Sequence, residues 1–280
     1  MKTKTLSLSS EQIQALRSQF KNYPIRTDLP HTLYQIKLDQ GSIIAYKSGK
    51  VVFQGNDGLL AAKPYQVETK ESVGSDEVGT GDYFGPMIVC AAYYHPDFDE
   101  FLNALAIVDS KQLNDEQILS LVPLFIDKVP HSLLILEPVK YNQVQTTHNL
   151  NKMKAQLHQK AFSNLKEKMG FLPELKIIDQ FTPEAKYYQY LNETYGLEDF
   201  IFETKAESKH TAVALAAMMA RYAFLKYFEA MNQQYHFNFP KGSSALVDQA
   251  GQRFVQQYGK EALKNVAKLH FKNTQRIIEV

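Results

Sequence analysis

The sequence predicts an α/β protein: a mixed sheet flanked by helices, preceded by a small α+β unit. Three observations carry this. The segments "PMIVCAAYY", "SLLILE" and "LKIID" are apolar and of strand length. From about residue 70 such strands are separated by long amphipathic stretches, notably "NLNKMKAQLHQKAFSNLKEKMG" and "ESKHTAVALAAMMARYAFLKYF". The first strands follow one another closely, as hairpins do, whereas the later ones alternate with helices, and that combination gives a mixed sheet. Before residue 70 the grammar differs, with short alternating runs and a single helical period.

Residues 1–8 alternate (Thr5, Leu6, Ser7, Leu8) and read as a strand. Ser9 with Gln12 three positions on matches a capping box that opens a helix, with Ile13, Leu16 and Phe20 at helical spacing and Pro24 closing it. "TLYQIKLDQGSIIAYKSGKVVFQG" then holds three alternating runs parted by "DQG" and "KSG", which are hairpin signals. "GNDGLLAAKPYQ" carries the Gly, Asn, Asp and Pro of a linker. The expected division is a small basic domain over residues 1–65 and a larger domain over 70–280, without repeats or low-complexity tracts.

With 280 residues the chain can bury a sizeable core. Its one cysteine, Cys90, excludes a disulfide framework and a cysteine-based zinc site, and suits a reducing compartment. "MKTKTLSLSS" has no apolar core after it, and the longest apolar run, "AVALAAMMA", is too short to span a bilayer, so the expectation is a cytoplasmic protein with no membrane partner. The net charge of +1 hides an asymmetry: residues 1–70 hold 10 Lys+Arg against 5 Asp+Glu, leaving 21 against 25. A basic unit joined to an acidic body fits a polyanion-binding module attached to a site that uses carboxylates; chance scatter on solvated faces is the other reading.

The acids concentrate attention on "GSDEVGTGDYFGP", residues 74–86. Adjacent side chains on a strand point to opposite faces, so Asp76 and Glu77 converge only if the strand ends or bulges there, and Gly74 permits a bulge. Gly79 and Gly81 would let the backbone approach a ligand. A dinucleotide fingerprint fails because position 84 is Phe84, and neither a Gly-Lys-Ser/Thr phosphate loop nor a G-x-S-x-G elbow occurs. Asp179 ends the apolar run of "LKIID", where sites on α/β sheets collect. Glu207 precedes a long apolar segment, where it is either a site acid or a partner for the helix dipole.

Together, "SDEVGTGDYFGP", "DSKQL" at 109–113, Asp179, "KAESKHTAVALAAMMAR" and "KLHFKNT" resemble the type 2 ribonucleases H, and specifically the bacterial ribonuclease HIII branch, in that family's order over residues 70–280. Ribonuclease HII usually has Arg between the glycines and Asp as the fourth acid; Thr80 and Glu207 stand here instead and favour the HIII branch. The resemblance implies a ribonuclease-H-like fold preceded by a TATA-binding-protein-like, substrate-binding domain. It also implies a metal-dependent endonuclease that cuts the RNA strand of RNA–DNA hybrids, leaving 5′-phosphate and 3′-hydroxyl ends. Its acidic quartet falls on Asp76, Glu77, Asp179 and Glu207. These would hold two Mg²⁺ or Mn²⁺ ions, with Asp76 bridging, Asp179 on the water-activating side, and Glu77 and Glu207 on the other. Hard oxygen ligands suit those ions.

The resemblance further gives Gly79, Thr80 and Gly81 the role of sensing the 2′-hydroxyl that marks RNA. In "DSKQL", Ser110 and Lys111 are phosphate contacts or, equally, Asp109 or Ser110 caps a helix. Lys37, Lys47 and Lys50 would grip the duplex backbone. Lys260, Lys264, Lys268, Lys272 and Arg276 recur every four residues and read as a solvated face or a phosphate-tracking stripe. His148, His158, His210 and His270 lack metal-site spacing, and Tyr187, Tyr188 and Tyr190 read first as core. The expectation is a monomer without an organic cofactor. Rival readings are cleavage at single embedded ribonucleotides in the manner of ribonuclease HII, a non-catalytic hybrid-binding protein, and a small-molecule α/β enzyme, the last disfavoured by the missing nucleotide fingerprints.

Overall fold

The computed structural model describes residues 2–8, 10–62, 65, 70–105, 113–191 and 199–279, and the chain divides into two compact units, Met1–Glu68 and Thr69–Val280. The first unit runs β1 (Thr3–Ser7), α1 (Ser10–Gln19), β2 (Ile25–Arg26), β3 (Thr32–Leu38), β4 (Gly41–Tyr46), β5 (Lys50–Gln54) and α2 (Gly55–Ala62). Its antiparallel sheet has the order β1-β5-β4-β3-β2. Strand alternation turns Tyr34, Ile36, Ile43, Ala45, Val51 and Phe53 to one side, where Ile13 and Leu16 of α1 and Ala61 and Ala62 of α2 cover them. The Tyr34 hydroxyl donates to the carbonyl of Ile13 at 2.7 Å.

The linker expected over residues 55–66 is instead the helix α2 as far as Ala62. Its glycine at position 58 is a packing residue and not a breaker: a Cβ there would lie 2.9 Å from the Ser42 carbonyl oxygen. Burial of Ala61 and Ala62 outweighs the turn-like composition of "GNDG".

The second unit contains β6 (Ser72–Val78), β7 (Met87–Tyr94), α3 (Asp99–Ala104), α4 (Asp115–Leu121), β8 (His131–Leu136), α5 (Pro138–Gln145), α6 (Leu150–Met169), β9 (Leu175–Asp179), α7 (Glu184–Leu191), β10 (Ile201–Glu203), α8 (Thr211–Gln234), α9 (Ala245–Tyr258), α10 (Leu263–Val266) and α11 (Lys272–Ile278). The sheet order is β10-β9-β6-β7-β8. β6, β7 and β8 form an antiparallel meander, while β9 runs parallel to β6 and β10 parallel to β9. Every residue of β7 is buried. Ile88, Cys90, Ala92 and Tyr94 pack with α8, whereas Val89, Ala91 and Tyr93 pack with α6, so helices cover both faces. Among the described residues no helix is long and apolar enough to cross a membrane.

The small-residue run "AVALAAMMA" allows α8 to lie close against β6. At Gly74 a Cβ would stand 2.5 Å from the backbone nitrogen of Val213. This explains the glycine without a bulge: β6 pairs in unbroken register with β7 from Ser72 to Val78. Gly74→Ala should therefore force strand and helix apart and lower the unfolding free energy by about 1–3 kcal/mol. An unchanged denaturation midpoint would contradict the close approach.

Candidate active site

Regular pairing of β6 sends Asp76 and Glu77 to opposite faces, so the two acids do not converge through a bulge as the sequence allowed. Asp76 lies on the α8 side with Gly74. Asp179 ends β9, one step beyond the last β6–β9 pair, Ser75 with Ile178, and so stands beside Asp76. The Asp179 carboxylate accepts a hydrogen bond from the Ala206 N–H at 2.8 Å. Ala206 itself is buried with Ile177 and Val213, which fixes the short turn that carries Glu207. That turn, Ala206–Ser208, precedes α8, which begins at Thr211, so Glu207 is not a first-turn dipole partner. Lys209 and His210 both bond Glu203, at 2.5 and 2.6 Å, and not Glu207.

Three stretches far apart in sequence thus deliver Asp76, Asp179 and Glu207 to the C-terminal ends of the parallel pair β6 and β9. Burial pushes the Asp76 carboxyl well above the usual carboxylate range; the charges of Glu77, Asp179 and Glu207 push the same way, and the 2.7 Å hydrogen bond from the Glu77 N–H opposes them.

Glu77 is held from α6. His158 Nε2 lies 2.9 Å from Glu77 Oε2, Lys154 Nζ is ion-paired with Oε1, and the other imidazole nitrogen of His158 meets Ser75 Oγ at 2.7 Å. Desolvation works upward on Glu77, but the hydrogen bond and charge of His158 and the charge of Lys154 hold its carboxyl below the ordinary value. Lys154 and His158 were not legible as site residues from motif spacing. A signal existed, since both fall four residues apart on the apolar stripe of α6 that carries Ala161, Phe162 and Leu165.

Gly79 adopts φ 87°, and a Cβ would stand 2.3 Å from the Pro86 carbonyl oxygen, so this glycine serves the turn itself. Gly81 differs: it is exposed and a Cβ would meet nothing within 4 Å. The backbone N–H groups of Thr80 and Gly81 have no acceptor among the described residues.

The following segment is clamped by a buried cation. Lys268 Nζ donates to the carbonyls of Asp82 (2.7 Å), Gly85 (2.7 Å) and Phe84 (3.4 Å), and its backbone N–H donates to Tyr83 (2.8 Å). Burial lowers the Lys268 ammonium to about 7, against the charge of Asp82, which raises it. The four-residue basic stripe is thereby corrected. Lys268 is fully buried, and the chain from 260 to 276 is a short turn, α10, a non-helical link that turns at 269–270, and α11, with no continuous helix to align the charges.

Lys37, Lys47 and Lys50 are exposed on the first unit. Lys37 pairs with Ser42 and Lys50 with Ser7, on the sheet face opposite α1 and α2. Ser110 and Lys111, with Asp109, lie outside the described residues. Just after them, Asn114 caps α4 with Gln117 in a capping box, and Asp115 is bound by Arg221 of α8 (2.6 Å) and by Lys241. Tyr187 is buried with Phe200 and Phe202, and Tyr188 and Tyr190 pack on the same cluster.

Carboxylates are hard donors, and their mutual repulsion at Asp76 is relieved by a divalent cation, so the donor set fits Mg²⁺ or Mn²⁺. Among the described residues no three His, Cys, Asp or Glu side chains stand at ligand spacing, which makes this an acidic cluster and not a preformed cage.

The family model described as Ribonuclease HII matches residues 73–274, and one described as Domain of unknown function (DUF3378) matches residues 4–76. The chain is similar to Ribonuclease HIII of Streptococcus thermophilus strain CNRZ 1066, 38% identical with 99% of this chain and 98% of the relative covered. It is 36% identical to Ribonuclease HIII of Lactococcus lactis subsp. lactis, with 98% of each covered. Among solved structures it is similar to Bst-RNase HIII in complex with Mn²⁺, at a TM-score of 0.75 and 35% identity over 99% of this chain and 98% of that one.

Lys268→Met would strand buried carbonyls without a donor and should cost about 3 kcal/mol of stability. Gly81→Ala, with its methyl in open space, should change stability by less than about 0.5 kcal/mol. Denaturant titration of both variants checks this; equal effects would contradict the clamp.

Proposed function

As this chain belongs to the ribonuclease HIII branch of the ribonuclease HII family, which makes it an endoribonuclease H, we propose that it hydrolyses the RNA strand of RNA–DNA hybrids at a two-metal site formed by Asp76, Glu77, Asp179 and Glu207. The observation that carries this reading is the convergence of Asp76, Asp179 and Glu207 at one end of β6 and β9, where desolvation first, and then the charges of the neighbouring acids, push the Asp76 carboxyl upward. A scaffold that forces acids together against their repulsion is suited to holding cations. The Mn²⁺ of Bst-RNase HIII supports a divalent-ion site, for which Mg²⁺ or Mn²⁺ is proposed.

Asp76 would be the shared ligand, Asp179 would serve the side of the attacking water, and Glu77 and Glu207 the side of the leaving oxygen. When bound, the ions supply an activated water and neutralise the charge that develops on the phosphate. The chain's own contribution is positioning: Ala206 orients Asp179, His158 orients Glu77, and Lys268 sets the path of the segment after the glycines. The unengaged N–H groups of Thr80 and Gly81 are suited to the 2′-hydroxyl, and the open space at Gly81 admits a close-lying strand. Ser110 and Lys111 are proposed as phosphate contacts. Residues 1–65, through Lys37, Lys47 and Lys50, would add a sequence-independent grip on the duplex. Products with 5′-phosphate and 3′-hydroxyl ends are part of the proposal.

Three end-labelled duplexes test it: an all-RNA strand on DNA, one ribonucleotide within DNA, and all-DNA, each with Mg²⁺, Mn²⁺ or chelator. The first should be cut far better than the second, only with metal, and Asp76→Asn should bind the hybrid without cutting it. Equal cutting of the first two would favour the ribonuclease HII manner of action. Retained cleavage by Asp76→Asn at saturating Mg²⁺ would overturn the site.

A further inference from the structure

Lys154 is nine-tenths buried, yet its ammonium has only two partners among the described residues: Glu77 Oε1, and the face of Phe181 at 4.0 Å. The two oxygens of Glu77 are held differently. Oε2 meets His158, which is pinned on its far side by Ser75 and stacked on Phe181 at 5.2 Å, so that contact is fixed. Oε1 meets a flexible four-carbon amine that has no second hydrogen-bond partner among the described residues and rests on the face of Phe181. A point charge of the same sign as a metal ion therefore sits on the one oxygen of Glu77 that can be released.

We propose that Lys154 is the resident counter-ion of the acidic cluster, occupying Glu77 Oε1 until a divalent ion displaces it. This rests on the reading of Asp76, Glu77, Asp179 and Glu207 as the metal site. Its consequence is a threshold: binding of an ion at Glu77 must break a buried ion pair, while the imidazole of His158 keeps the carboxylate aimed throughout. Lys154 also partly offsets the repulsion that four carboxylates would otherwise exert, so the metal-free protein tolerates the cluster. Once displaced, the ammonium remains against the aromatic face of Phe181, where a cation is stabilised.

The test is calorimetric titration of Mn²⁺ into the full chain without nucleic acid, for wild type and for Lys154→Met, which keeps the apolar stem. Lys154→Met should bind Mn²⁺ about tenfold more tightly, the middle of the range for coupled neighbouring charges. In a Glu77→Gln background the same substitution should have no effect on affinity. Lys154→Arg, with circular dichroism as a check on folding, should bind no more tightly than wild type. Unchanged or weaker binding by folded Lys154→Met, or an effect that persists without the Glu77 charge, would overturn the exchange. Asp76→Asn separates the two levels: if it leaves Mn²⁺ binding intact, the reading of the metal site itself falls and the proposal with it. If it abolishes binding while Lys154→Met changes nothing, only the role of Lys154 falls.

Discussion

Asp76 is half-buried on a central strand within the field of three other carboxylates, and much of the second unit can be understood as what keeps it there. An isolated cluster of this kind would spread apart or take up protons. Here the backbone does not permit the first. β6 is paired on both sides, by β7 and β9, and α8 is pressed against it at the Gly74–Val213 contact. Asp179 is fixed by register and by the Ala206 N–H, and Glu207 by the buried turn ahead of α8. Stability is given up locally, and the acids stay clustered although, among the described residues, no three of them stand at metal-ligand spacing.

The same economy governs the loop after β6. Lys268 comes from a segment almost two hundred residues later, and its ammonium and N–H satisfy the carbonyls of residues 82–85 together. A loop held by one interior cation keeps its shape without a covering layer, which leaves Gly81 exposed. Asp82 adds to this by accepting from the Gly242 N–H at 2.6 Å. Rigidity next to an exposed backbone is what recognition through N–H groups requires, since a mobile loop would spend binding energy on ordering itself.

The strands and the long helices were legible because they follow local rules, apolar runs of strand length and a helical stripe, and the four acids stood out as candidates because they are set in motifs. What was not legible depended on contacts between distant residues. Gly74 reads as a bulge until α8 is seen to lie 2.5 Å from its missing Cβ, and "GNDG" reads as a linker until Ala61 and Ala62 are seen buried. Lys268 falls on a four-residue repeat that suggested a surface, because spacing alone cannot tell a continuous helix from two short ones joined by a non-helical link. The link of Lys154 and His158 to Glu77 is hidden for a different reason: a polar residue on an apolar stripe is informative only when its partner, here Glu77, is known.

The acids are held together against their own repulsion. The most direct measurement is the thermal stability of wild type and Asp76→Asn with metal removed by chelation, and again with Mn²⁺ added. Asp76→Asn should melt higher than wild type without metal, since one repelling charge is gone while the acceptor for the Glu77 N–H remains, and Mn²⁺ should stabilise wild type but not the variant. A variant that melts lower in chelator, or gains as much from Mn²⁺ as wild type does, would contradict it.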